Sequence, residues 1–90
     1  MTKREIKRMI KEVLHADTVG TNKQGNVICR WGFFYSHGRT AERYTDAVSD
    51  LLDRNQVSYS IVESAQIWKA FRGGASTANQ SHFRVEVQIN

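Results

Sequence analysis

The chain has no proline and a single cysteine. Without proline the slow isomerisation steps disappear, and glycine and asparagine must mark the turns. A lone cysteine, Cys29, rules out an internal disulfide and the paired-thiol and zinc-finger patterns. Long apolar runs are missing as well: none approaches the roughly 20 residues needed to cross a bilayer. The charged start, MTKREIKR, has no signal-type apolar stretch behind it. Neither a dinucleotide glycine fingerprint nor a phosphate loop ending in Gly-Lys-Ser/Thr occurs. The expectation is therefore a chain without cofactor, metal or membrane contact, in a reducing, cytoplasmic setting.

What is present suits one small globular domain spanning residues 1–90. Hydrophobic residues make up 40% and charged residues 24% of ninety, which separates the chain from disordered composition. Thirteen lysines and arginines against nine acids give a net charge of +4. That balance mildly favours anionic partners and bears on association rather than fold.

An N-terminal helix over about 3–15 is the clearest early element. Thr2 and Glu5 have capping-box spacing, and Ile6, Met9, Ile10, Val13 and Leu14 fall on one helical stripe. Arg4, Lys7, Arg8 and Lys11 gather away from that stripe. Their i,i+4 pairs repel one another, which a phosphate backbone would relieve; a solvated cationic face is the plain alternative. Residues 16–26 read as a flexible connection with turn chemistry at Gly20, Asn22, Gly25 and Asn26, long enough for a short hairpin arm.

A β-α-β-β unit over about 27–90 follows. Asn26 to Tyr35 alternates Val27, Cys29, Trp31, Phe33 and Tyr35 against Ile28, Arg30, Gly32 and Phe34, as expected of a strand with both faces partly covered. Gly32 leaves room for a bulge or for another chain to approach. A second helix is expected from Ala41 to about Arg54, with Thr40 as its cap and an acidic outer face of Glu42, Asp46, Asp50 and Asp53. Val57 to about Glu63 reads as the next strand, parallel to the first through a crossover. Ala65 to Phe71 either continues it past a bend near Ser64 or stands apart. The last strand has strict period-two patterning: Phe83, Val85, Val87 and Ile89 inward, His82, Arg84, Glu86 and Gln88 outward. The expected architecture is α+β in the order α-β-α-β-β, with about three strands in a mixed sheet and two helices packed on one face.

The stretch from Trp68 to Phe83 carries the densest set of candidate binding residues. Glycines let successive backbone N–H groups converge on an anion, and arginine adds bidentate contacts to phosphate. On that basis Lys69, Arg72, Gly73, Gly74, Ser76 and Arg84 join Arg39 and the helix cations as candidate nucleic-acid or anion contacts. A plain hairpin connection fits the same composition. Phe34, Trp68 and Phe71 are candidate protein-contact residues, while Trp31, Phe33 and Phe83 read as core.

His37 and His82 each follow a serine at a strand end, an arrangement that would suit an acid–base pair in RNA cleavage. Gly74 with Ser81-His82 in a strand-opening loop resembles the Gly-Ser-His signature of small HicA-type toxin RNases, which are also basic, with helices on a small sheet. The adjacent triplet is absent here, so no family is assigned. Three functions are thus expected in order: a non-enzymatic domain binding nucleic acid or another phosphate-rich partner, a protein-interaction or inhibitory module that docks on a larger protein or forms a homodimer, and a histidine-dependent RNase.

Overall fold

The computed structural model of the chain describes residues 1–33, 41–69 and 80–90. Their elements run α1 (Lys3–Leu14), β1 (Thr18–Thr21), β2 (Val27–Phe33), α2 (Ala41–Arg54), β3 (Tyr59–Lys69) and β4 (Gln80–Ile89). The strands form one four-stranded sheet in the order β1-β2-β4-β3, with every neighbouring pair antiparallel. Helix followed by hairpin therefore occurs twice, and the two units meet along β2 and β4.

Both expected helices are present, each for a local reason. Thr2 accepts from the Glu5 backbone N–H at 3.2 Å, and Glu5 Oε1 accepts from the Thr2 backbone N–H at 3.1 Å, so two orphan donors of α1 are satisfied reciprocally. The helix ends at His15 in a left-handed conformation, and the Trp31 indole N–H donates to the Leu14 carbonyl at 3.0 Å. Ile6 and Ile10 are fully buried, as are Val48 and Leu52 of α2; each pair, four residues apart, forms one face of its helix. Val13, expected on the same stripe of α1, is 55% exposed. The sheet contact of α1 is narrower than its apolar pattern.

Those helical faces close on one side of the sheet. Val27, Cys29 and Trp31 of β2 and Phe83, Val85 and Val87 of β4 are all buried there, as the period-two pattern requires. Tyr44 of α2 lies between two of these rings: its centroid is 4.8 Å from that of Trp31 and 4.7 Å from that of Phe83. Offset aromatic contacts of this kind add to the area they bury.

The sheet departs from the expected one in three ways. Residues 18–21, read as part of a flexible connection with room for a short hairpin arm, form β1, the first strand of such a hairpin. The turn is closed by Asn22 and Asn26, with Gly25 at a φ of 82°, and a single valine in Thr-Val-Gly-Thr gave no alternation to read. The sheet is also antiparallel throughout rather than mixed. β2 and β3 do run in the same direction on either side of the α2 crossover, but β4 is inserted between them. Finally, β3 is one long strand from Tyr59 to Lys69, with the register shift between Ile61 and Glu63 in place of a bend near Ser64. One extra residue there, Val62, reverses which side chains face the helices. β4 begins at Gln80, one residue ahead of the Ser81-His82-Phe83 stretch that opens its alternation.

Candidate polyanion-binding surface

α1 carries five cations against two carboxylates, whereas α2 carries four acids against two arginines. The spacing that buries Ile6 and Ile10 leaves Arg4, Arg8 and Lys11 exposed. It also lays two lysines along the β1–β2 hairpin. Lys3 Nζ donates to the Gly25 carbonyl at 2.7 Å, and Lys7 Nζ to Thr21 Oγ1 at 3.2 Å. Lys3 was missed in the sequence because its role depends on a turn 22 residues away. Glu5 lies in the first turn of the same helix. Donation from the Thr2 backbone holds its carboxyl below the ordinary range, with the Thr2 hydroxyl and the positive charges of the N-terminus and Arg8 adding to the effect.

The face of the sheet opposite α1 and α2 has its own charge cluster. Arg84 pairs with Glu63 at 3.0 Å and with Glu86 Oε1 at 3.1 Å. Glu86 Oε2 accepts from Asn26 Nδ2 at 2.8 Å and from Asn22 Nδ2 at 3.1 Å. Glu86 was expected to point outward, and it does lie on the outer face, yet it is only 8% exposed because these three side chains cover it. Its carboxyl is held below the usual range, first by the Asn26 amide and further by Asn22 and Arg84, against the opposing effect of desolvation. The charge of Arg84 is therefore largely committed to its two glutamates.

Arg30 stands directly opposite Arg84 in the β2–β4 ladder and is exposed. It has no carboxylate partner among the described residues. Between the two arginines and β1 lies an open depression of about 390 Å³, walled by Thr18, Thr21 and Asn22 and floored by Ile28. Gly20 also borders it, and a Cβ built on Gly20 would meet no atom within 4 Å.

The glycine permitted at position 32 has a specific use. Asp17 folds back so that its Oδ2 accepts from the Gly32 N–H, and a Cβ on Gly32 would lie 3.2 Å from that oxygen. The sequence suggested a bulge or the approach of another chain at Gly32; instead the ladder runs through it in regular register, and the close neighbour is the Asp17 carboxylate just before β1.

The remaining candidates divide by position. His82 is half-buried, in register with Gly32 and Ile67. Trp68 and Lys69 end β3 opposite Ser81 and Gln80, so the segment carrying Arg72, Gly73, Gly74 and Ser76 joins two antiparallel partners. Those four, together with Phe34, His37, Arg39 and Phe71, lie outside the described residues. Trp31 and Phe83 are core, as expected. Cys29 is fully buried, and desolvation pushes its thiol up to about 12. Among the described residues no group of three or more His, Cys, Asp or Glu gathers to hold a metal, and no helix is long and apolar enough to cross a membrane. Comparison with family models, curated proteins and solved structures finds no match to this chain.

Proposed function

We propose that the protein is a small non-enzymatic binding domain for nucleic acid or a similar phosphate-rich polyanion, engaged through the cationic face of α1. The observation that carries this reading is the separation of charge between the helices. Arg4, Arg8 and Lys11 are exposed on one, with Lys7 beside them on the hairpin, while the acids Glu42, Asp46, Asp50 and Asp53 are exposed on the other. Lysines and arginines in such a row release counterions from a phosphate backbone, which gives affinity with little sequence information. A salt titration against single-stranded and duplex probes tests it: binding should be measurable at low salt and weaken steeply as salt rises. No binding at low salt, or binding indifferent to salt, would refute the proposal.

A second reading, as a protein-interaction module, is favoured by β3. This strand is eleven residues long and stands at the edge of the sheet, with Val62 50% exposed at its irregularity. An edge of that length offers backbone groups to a strand from another chain or a second copy. Light scattering across a concentration series checks the self-pairing form, which requires the mass to rise toward that of a dimer.

A further inference from the structure

The α1 cations and Arg30 lie on opposite sides of the sheet, yet the space between them is bridged. Thr21 belongs to both surfaces: its hydroxyl accepts from Lys7, and the residue walls the depression beside Arg30. β1 is short, and it forms the outer edge of the sheet. From Thr21 back to Thr18, which pairs with Arg30, is about 10 Å of strand at the usual rise. A polyanion crossing that edge would meet Lys7, the two threonine hydroxyls and then the guanidinium of Arg30. Arg84, opposite Arg30, is already paired with Glu63 and Glu86, so Arg30 is the cation of that ladder pair left to meet an arriving anion.

We infer that the partner of this surface is a single-stranded nucleic acid whose backbone passes over β1 from the α1 row into the Arg30 depression. This rests on the proposed polyanion-binding function and narrows it. A duplex is stiff over about 150 base pairs, so it does not turn around the edge of one strand, whereas a single strand does. The outward positions of β2 and β4 carry Ile28, Arg30, Gly32, His82, Arg84, Glu86 and Gln88; among these described residues the His82 imidazole is the one ring, with no Phe, Tyr or Trp to stack on a base. Recognition there is of phosphate and sugar.

The test uses labelled oligo(dT) and oligo(U) beside a duplex of equal length, with the full chain and its Arg30→Ala, Arg30→Lys and Arg8→Ala variants, each checked for an unchanged melting profile. The wild-type chain should bind both single strands more tightly than the duplex and about equally to each other. Arg30→Ala should lower single-strand affinity about tenfold and flatten its salt dependence, with Arg30→Lys retaining most of the affinity. Duplex binding should be insensitive to Arg30 but sensitive to Arg8. If Arg30→Ala binds single strands like wild type, or loses duplex affinity equally, the path over β1 is wrong while the α1 reading survives through Arg8. A duplex bound as tightly as the single strands also overturns the path, and a tenfold preference between oligo(dT) and oligo(U) overturns recognition of the backbone alone. If the wild-type chain binds no probe at low salt, the proposed function falls, and this inference with it.

Discussion

Arg30 and Arg84 face each other across the junction of β2 and β4, and they differ in what surrounds them. Arg84 is gripped by Glu63 and Glu86, whereas Arg30 is exposed with no carboxylate partner among the described residues. Two like charges side by side destabilise a ladder. The glutamates make the pair tolerable, and Glu86 also anchors Asn22 and Asn26, tying the β1–β2 turn to β4.

That double role predicts acid sensitivity. Glu86 is held below the ordinary carboxylate value of 4.5 in the folded chain, by the Asn26 amide above all. A carboxyl with a depressed folded pKa contributes stability above its unfolded value and loses it as pH falls through the folded one. Glu5 acts in the same direction. Urea midpoints should therefore fall between neutral pH and about pH 3, and Glu86→Gln should be less stable at neutral pH with a shallower acid decline. Parallel pH profiles for the two proteins would count against the assignment.

Ile10 and Val13 share one apolar stripe in the sequence but not one environment, being 0% and 55% exposed. Ile10→Ala should cost about 2–5 kcal/mol through the cavity it leaves. Val13→Ala should stay within about 0.5 kcal/mol of wild type. Chemical denaturation of both variants reads the difference directly, and similar losses would contradict the placement of α1.

Gly32 and Asp17 should be energetically coupled. Gly32→Ala places a methyl group against the Asp17 carboxylate, so the substitution should destabilise the wild-type chain. It should cost less when Asp17 is already alanine, with a coupling of about 0.5–3 kcal/mol in the double-mutant cycle. Additive effects would show that the carboxylate moves aside freely.

Cys29 should be silent to thiol reagents in the native protein. It is fully buried, and its thiol ionises only near 12, so thiolate is scarce at neutral pH. Labelling by a disulfide reagent should follow global unfolding and accelerate in urea in step with it. Rapid labelling without denaturant would mean that the strand opens locally.

The parts legible in the sequence are those whose cause is local. The Thr2–Glu5 box, the Ile6/Ile10 and Val48/Leu52 spacings and the alternation from Phe83 to Ile89 each state their element within a few residues. β1 was legible only as the short hairpin arm its turn residues allow, since four residues with one valine show no period, and its turn is closed by amides that also bind Glu86 on a distant strand. The place of β4 was hidden too. A right-handed crossover fixes the direction of β3 relative to β2, but it does not forbid a later strand from entering between them. Among the candidate residues, Arg84 was read beside Lys69 and the Arg72 glycine loop. Only the register that brings Glu63 and Glu86 beside it distinguishes it from Arg30.

The repeated helix-and-hairpin order has a consequence for assembly. Each half contributes its second strand to the junction, β2 from one and β4 from the other, much as two identical subunits contribute the same element to an isologous contact. The chain thus holds within itself the geometry of a symmetric pair. Exchange of halves between two molecules would rebuild the same β2–β4 junction.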